Sequence, residues 1–411
     1  MIIEKHKIRL LKEFYDLMAN TRTVRFRIVE NMFKNHSESS DPDMKIDFEK
    51  EQIVSLKNAL FSLETIPSEG IKRSLLLDDV KKIEVDLTYE IEELKKDIFY
   101  LENGEKKFCG YLENIHSGFT EQVKTGVKKL GSLDFNCFIT DRDGTINNYC
   151  GRYRSSIQSI YNAVSITRFA KYKTANPIII TSAPLKDPGI VDVSVNPENA
   201  IIYAASKGRE FIDLNGSRRT YPIEENKQQL INKLNKKLSD LLLNSELEKF
   251  TLIGSGLQLK FGQTTIARQD ITGAIPDDES DKFLKLVQSI VSDIDPGGNN
   301  FKIEDTGLDI EIILTIEDSK LGPKDFDKGD AVRYLATELD LSLPKGPHLI
   351  CGDTASDIPM IEAAIEQTED TWTVFVTKDK VLAEKVSATC PNSVIVSEPD
   401  MLVGILACLS R

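Results

Sequence analysis

Along residues 1–130 the apolar positions return every three or four residues: Ile53, Leu56, Leu60 and Leu63, then Ile91, Leu94, Ile98 and Leu101, then Leu112, Ile115, Phe119 and Val123. That spacing lines one face of successive helices and predicts an almost purely helical module with no catalytic constellation in it. A polar run, "NHSESSDPD" (35–43), separates its first long helix from the second. After Gly131 the period changes. Short, near-continuous apolar runs now alternate with helical stretches: "FNCFIT" (135–140), "PIIIT" (177–181), "AIIYA" (200–204), "PHLICG" (347–352), "WTVFVT" (372–377) and "SVIVS" (393–397). Such strands predict a parallel sheet covered on both faces, with ligands gathering at the strands' carboxyl ends. Between the two groups, 215–325 reads as helix (225–246), two strands (250–254 and 257–268), helix (278–294), a "DPGGNN" turn and two more strands (301–304 and 308–316). Paired strands with short turns are antiparallel hairpins. The expectation is an αββαββ cap inserted into a parallel core and folded over its strand ends.

Composition narrows the function classes. The chain has 411 residues, 40% hydrophobic and 28% charged, which suits a globular protein of two or three domains. A formal net charge of −13 argues against a nucleic-acid or anionic-membrane surface, while leaving room for a small anion in a locally basic cleft. Six scattered cysteines without a C-x-x-C pair fit a reducing compartment better than a disulfide framework. The opening "MIIEKHKIRLLKEF" is charged too early for a secretory signal, and no apolar run reaches the roughly 18 residues of a membrane span. The expected location is the cytoplasm. His6 and His36 read as solvated rather than metal-binding.

Chemistry concentrates at the ends of the predicted core strands. "TDRDGT" puts Asp141 and Asp143 directly after the first strand; a polar turn is the plain reading, and an EF-hand fails because its final Glu position holds Arg152. "GDTASD" follows the strand "PHLIC" with Asp353 and Asp357 four apart, where Asp353 and Thr354 can also serve as ordinary helix caps. Ser182, or Thr181 beside it, ends "PIIITSAP", and Lys328 precedes a helix in "PKDFDKGDAV". Each is unremarkable alone. Together, three acids, a hydroxyl and an ammonium at one strand-end cleft suit a Mg²⁺-assisted phosphoryl transfer, in which a carboxylate can act as nucleophile. Arg142, between the two aspartates, alternates away from them if the chain stays extended, and so takes no part in the chemistry.

In that order the four motifs resemble the haloacid dehalogenase-like (HAD) phosphatases over about 134–411. More finely, "TDRDGTINNY", "AASKGREF", "GSGLQLKFGQTTIARQDITG", "GLDIEIIL" and "CGDTASDIPM" are similar to trehalose-6-phosphate phosphatases of the roundworm type, which carry a helical N-terminal extension. The resemblance implies an α/β fold: a HAD-like Rossmannoid parallel-sheet core (131–214 and 326–411) with an inserted α+β cap of C2 type (215–325), preceded by an all-helical, MIT-like bundle or coiled-coil-like domain (1–130). It implies hydrolysis of trehalose 6-phosphate through an aspartyl-phosphate. Asp141 would be nucleophile and Asp143 general acid/base, with Ser182 and Lys328 on the phosphoryl oxygens. Mg²⁺ would be held by Asp141, the Asp143 carbonyl and Asp353, while Asp357 orients a metal-bound water or Lys328. The sequence departs from the bacterial and plant pattern at Ser182-Ala183-Pro184, where S-G-R is usual, and at G-D-T-A-S-D.

For the sugar, the candidates are Lys207, Arg209, Lys260, Arg268 and Glu311. Glu311 interrupts the apolar strand "LDIEIIL" and shares a face with Asp309 and Ile313. Gly254-Ser255-Gly256 reads as a hairpin turn rather than a dinucleotide loop. The alternatives are another capped sugar-phosphate phosphatase, a phosphomutase, or a helical scaffold with a vestigial phosphatase core. The N-terminal helices could serve self-association, docking to a protein partner, or restraint of the cap.

Overall fold

The computed structural model describes residues 2–34, 42–77, 81–318 and 322–411. Helices α1 (Leu11–Lys34) and α2 (Pro42–Glu64) open the chain, and α2 also packs against α3 (Thr88–Ile115). On α1 the buried residues Leu11, Phe14, Tyr15, Met18 and Val29 form the stripe its periodicity demands. His6 is exposed; His36 lies outside the described residues. The all-helical expectation needs one correction. Strands β1 (Ser68–Glu69), β2 (Lys72–Leu76) and β3 (Lys82–Asp86) form an antiparallel meander between α2 and α3. Leu75, Ile83 and Val85 turn inward at alternate positions, but over so few residues that the helical pattern on either side masks them.

Helix α4 (Phe119–Leu130) leads into the core: β4 (Phe135–Thr140), α5 (Ile160–Lys173), β5 (Thr174–Ile180), α6 (Ile190–Val193) and β6 (Ile202–Ala205), followed by β7 (Glu210–Ile212) and β8 (Arg218–Thr220). The cap holds α7 (Glu225–Leu241), α8 (Lys249–Leu252), β9 (Leu257–Lys260), β10 (Gln263–Ala267), α9 (Asp277–Ile294), β11 (Phe301–Asp305) and β12 (Asp309–Leu314). After the hairpin β13 (Ile316–Asp318) and β14 (Gly322–Lys324), the core resumes with α10 (Lys328–Glu338), β15 (His348–Gly352), α11 (Ile358–Ile365), β16 (Thr371–Val376), α12 (Lys380–Thr389), β17 (Ser393–Val396) and α13 (Pro399–Leu409).

The core sheet runs β17-β16-β15-β4-β5-β6-β7-β8, parallel from β17 to β6, with β7 and β8 added antiparallel at the edge. Its two faces are buried in separate apolar layers, one holding Phe138, Phe169 and Leu402, the other Ile139, Val332 and Ile350. Helix α4, helical in pattern like the residues before it, packs on α13 of this core. A third apolar cluster runs without a break from Phe14, Met18 and Leu94 of the N-terminal helices to Phe250, Phe283 and Ile310 of the cap.

In the cap, the strand expected at 250–254 is the short helix α8, whose Phe250 and Leu252 are buried. The single strand expected at 257–268 is two, β9 and β10, joined by a two-residue hairpin at Phe261-Gly262. Gly262 supplies the positive φ (+73°) that this tight turn requires. Gly254-Ser255-Gly256 joins α8 to β9 and is therefore not a hairpin between strands. The cap sheet is ordered β11-β12-β10-β9.

Helix α3 docks on the core through buried polar groups. Lys96 Nζ meets Glu93 Oε1 (2.8 Å) and Asp400 Oδ2 (2.7 Å), and His116 Nε2 reaches the same Asp400 oxygen (2.6 Å). Asn148 Nδ2 donates to Glu93 Oε1 (3.0 Å) and Asp400 Oδ1 (3.2 Å), and Tyr161 donates to Asp400. Asn147 Nδ2 donates to the Tyr89 hydroxyl (3.0 Å), which itself donates to Ile157 O (3.0 Å). The two asparagines of the "INN" that follows the acidic motif are thus tied to α3.

Candidate active site

Strand β4 ends at Thr140, opposite Cys351 of β15 and Ile179 of β5. The chain leaves β4 toward β5 and β6 on one side and later fills β15, β16 and β17 on the other, so a crevice opens at the strand ends beside β4. Asp141, Thr181-Ser182 and Asp353 come off those three neighbouring strands. Asp141 is fixed by its N–H to Cys351 O (3.0 Å). The loop then closes on itself: Arg142 O accepts the N–H groups of Thr145 (3.3 Å), Ile146 (3.1 Å) and Asn147 (2.9 Å). Gly144 sits at φ +86°, where a Cβ would lie 2.2 Å from Asp353 Oδ2, so the turn and the close approach both require glycine.

Lys328, at the start of α10, places Nζ 2.6 Å from Asp141 Oδ1 and 2.5 Å from Asp357 Oδ1. Asp357 Oδ2 accepts the N–H groups of Asp353 (3.0 Å) and Thr354 (3.0 Å), so this residue orients both the lysine and the loop. Thr354 caps the turn that follows, as the plain reading of that residue expects. Asp353 Oδ1 accepts from Thr145 Oγ1 (2.9 Å). One ammonium faces three carboxylates. Burial pushes Asp141 up to about 7 despite Lys328, and burial with the charges of Asp141 and Asp357 pushes Asp353 up to about 8. The Lys328 ammonium is held strongly charged: burial works against it, and Asp141 and Asp357 outweigh that.

Arg142 does not turn away from the site, because the chain is not extended there. Its guanidinium is buried, paired with the Asp143 carboxylate, and donates to Ser156 Oγ (3.0 Å) and to the Ser156 carbonyl. Ser156 Oγ in turn donates to Asp143 Oδ1 (3.0 Å). One oxygen of Asp143 is therefore held by two donors.

The cap covers the crevice with the polar face of its sheet. The register puts Thr265 between Gln258 and Glu311, with Lys260 and Asp309 on the same face, while Leu259, Ile266, Ile310 and Ile312 take the opposite one. A cavity of ≈ 170 Å³ is lined by these five polar residues and Ser255 from the cap, and by Asp143, Tyr149, Thr181 and Ser182 from the core. Burial brings the Lys260 ammonium down to about 8, with Glu311 and Asp309 opposing, and burial raises Asp309. Ser182 is exposed at the rim; Thr181 is buried, and its Oγ1 accepts from Ala183 N (3.2 Å).

Three predicted sugar contacts stand elsewhere. Arg209 is buried just before β7, where Nη1 donates to Gly262 O (2.6 Å) and Nη2 to Leu314 O (3.0 Å), so it grips the cap backbone instead of lining the cavity. Arg268 is paired with Asp281 (3.0 Å) and Asp305 (2.9 Å) and does not line the cavity either. Lys207 is tied to Asp325 (2.7 Å) and does not line the cavity. A basic residue in a suggestive stretch shows its charge in the sequence, but its partner appears only in the fold.

A family model described as "Trehalose-6-phosphate phosphatase, C-terminal" matches residues 138–402. The chain belongs to the trehalose-6-phosphate phosphatase family. That family's "N-terminal helical bundle domain" matches 10–119. The chain is 32% identical to an alpha,alpha-trehalose-phosphate synthase (UDP-forming) 2 of Aphelenchoides avenae, over 99% of this chain and 32% of that protein. It is 27% identical to a trehalose-phosphatase of Brugia malayi, over 98% of this chain and 86% of that one. The chain thus spans about a third of the length of the synthases it matches. A solved C-terminal domain of a C. albicans trehalose-6-phosphate phosphatase overlays with a TM-score of 0.44 at 14% identity, covering 71% of this chain and 96% of that one.

Membership in the trehalose-6-phosphate phosphatase family implies a divalent metal, and the residues fit one. Ligand oxygens of Asp141, Asp353 and Asp357 lie within 4.8 Å of one another, and their charge exceeds what Lys328 neutralises. The Asp143 side chain is not part of that triad. Sequence reasoning missed Thr145, Arg142 and Ser156 around the aspartates, and Gln258, Thr265 and Ser255 on the cap. The period-two argument applied to Glu311 would have found Gln258 and Thr265, given the β9–β10 hairpin.

Proposed function

We propose that the chain hydrolyses trehalose 6-phosphate to trehalose and phosphate with Mg²⁺. Asp141, Asp353 and Asp357 would hold the metal, which when bound neutralises charge on the phosphoryl oxygens. Lys328 holds the Asp141 carboxylate in place and, with Ser182, supplies donors to those oxygens. Asp141 forms a bond to phosphorus as the bond from phosphorus to the sugar oxygen breaks, and Asp143 gives its proton to that leaving oxygen. Asp143 then takes a proton from water, whose oxygen displaces Asp141 from phosphorus and regenerates the free carboxylate. Arg142 and Ser156 fix one Asp143 oxygen and leave the other for the proton. The polar cap face, with Lys260 and Glu311 at its centre, offers donors and acceptors to the sugar hydroxyls. The observation that carries the reading is that Asp143 and this cap face line one cavity.

The longer relatives' synthase activity is not part of the proposal. Among the described residues no helix is long and apolar enough to cross a membrane, and all six cysteines are free, which suits a cytoplasmic setting. Phosphate release from a panel of sugar phosphates, with and without Mg²⁺, tests the reaction. Preference for trehalose 6-phosphate that disappears in Asp141→Asn is expected. A flat response across the panel removes the substrate, isomerised sugar phosphate in place of free phosphate points to a mutase, and equal rates in the two proteins remove the mechanism.

A further inference from the structure

The segment that leads from the acidic loop into α5 is gripped by the N-terminal helices at three points. Ser155 Oγ donates to Glu90 Oε1 (2.6 Å). Ile157 O accepts from the Tyr89 hydroxyl (3.0 Å) and from Arg25 Nη1 (3.3 Å). Ile160 N donates to Asp97 Oδ1 (2.7 Å), whose other oxygen pairs with Arg25 Nε (2.6 Å). Tyr89, Glu90 and Asp97 stand on α3 and Arg25 on α1. Arg25, Glu90, Asp97 and Ser155 are all buried, so these bonds are shielded from water. Between the first two anchors stands Ser156, the residue whose hydroxyl holds Asp143 (3.0 Å).

A hydroxyl has one proton and two lone pairs. On Ser156 both lone pairs are engaged, by Arg142 Nη1 (3.0 Å) and by Asn147 Nδ2 (3.2 Å), so its proton is left for Asp143. The Asn147 amide must therefore present nitrogen to Ser156. Turned over, it would offer its oxygen and draw the serine proton away from Asp143. Tyr89 selects the orientation. Its proton is committed to Ile157 O, so its oxygen accepts from Asn147 Nδ2 (3.0 Å). We propose that Tyr89 is a positioning residue for the phosphatase reaction: through Asn147 and Ser156, the N-terminal helical domain sets the carboxylate that serves the leaving sugar oxygen. The inference rests on the role given to Asp143 in the proposed reaction, and it makes the helical domain a part of the active site.

Tyr89→Phe keeps the ring and deletes only the hydroxyl. In the full chain with Mg²⁺ and trehalose 6-phosphate, kcat should fall about threefold to tenfold with KM nearly unchanged, a fraction of the roughly 10²–10⁴-fold that general acid–base catalysis supplies. In an Asp143→Asn background the same substitution should change nothing, because no proton-carrying carboxyl is left to position. Asn147→Ala cuts the link from the core side, should lower kcat alike, and should also absorb the Tyr89→Phe effect. That second background keeps the test readable if turnover in Asp143→Asn is too slow to measure. An unchanged kcat in Tyr89→Phe, or an equal fall in every background, overturns the inference and leaves the proposed reaction standing. Wild-type turnover in Asp143→Asn removes that reaction's acid, and this inference with it.

Discussion

Two buried clusters of acids are both joined to the loop that begins at Asp141, one through Asp141 and Thr145 and the other through Asn148. In the crevice, Asp141, Asp353 and Asp357 share Lys328, and two of the three carboxyls are pushed up toward 7 and 8. Behind it, Glu93 and Asp400 share Lys96, with His116, Tyr161 and Asn148 closing the hydrogen bonds. Asp400 is held well below the ordinary carboxylate range: burial opposes this, and Lys96 with the His116 and Tyr161 bonds prevails. Burial is similar and the balance of charge is not. A cluster that satisfies itself holds helices together; one left short of positive charge is built for a cation and a reaction.

The comparison breaks most readily at its extremes. Asp141→Asn should lower phosphate release on the order of 10⁴-fold while leaving the melting temperature at or above wild type, because it removes a carboxylate from an overcrowded set. A fall in stability with activity retained would reverse the two roles. Lys96→Met should do the opposite, costing about 3–5 kcal/mol of stability in a denaturant titration by stranding buried carboxylates, with turnover of the folded fraction near wild type. Added Mg²⁺ sharpens the contrast further. At a hundredfold excess over its Kd it should stabilise the wild type by about 2.7 kcal/mol in thermal melts, and Asp353→Asn should lose most of that. If both proteins ignore the metal, the crevice is not its site.

Smaller effects probe the edges. Arg142→Met releases one oxygen of Asp143 and should lower kcat by about tenfold to a hundredfold with less change in KM, a part of the roughly 10²–10⁴-fold that general acid–base catalysis supplies, and Ser156→Ala by less. An unchanged kcat in Arg142→Met would return that residue to a bystander. The faintest signal is in pH. A carboxyl held low in the folded state stabilises it fully above the unfolded value near 3.9 and loses that contribution as pH falls below it. The stability gap between wild type and Asp400→Asn should be flat from pH 5 to 8 and shrink below pH 4; a gap that changes near neutrality would mean that Asp400 is not the ionised partner assumed here.

The strand-end motifs were legible because buried parallel strands read as unbroken apolar runs, so any charge at their ends stands out. Asp141, Asp353, Asp357 and Lys328 converge for that reason. Arg142 was misjudged because alternation was assumed across a residue whose carbonyl anchors a tight turn. Arg209 and Arg268 show a similar gap: nothing local reveals that one grips Gly262 O and the other pairs with Asp281. The tie between α3 and Asn147-Asn148 was hidden because two asparagines after a turn look like any loop. Likewise, the apolar cluster shared by the N-terminal helices and the cap joins segments more than 200 residues apart, which no window of periodicity spans.

Gly144 has a consequence beyond energy. Its backbone angle favours glycine on one ground, and on another a Cβ would lie 2.2 Å from an oxygen of Asp353 and force that carboxylate to move. Easing either restraint alone frees nothing. In the vocabulary of heredity, codon 144 is a position where a missense change falls on the crevice first: any side chain there strains the turn and pushes the Asp353 carboxylate from its place.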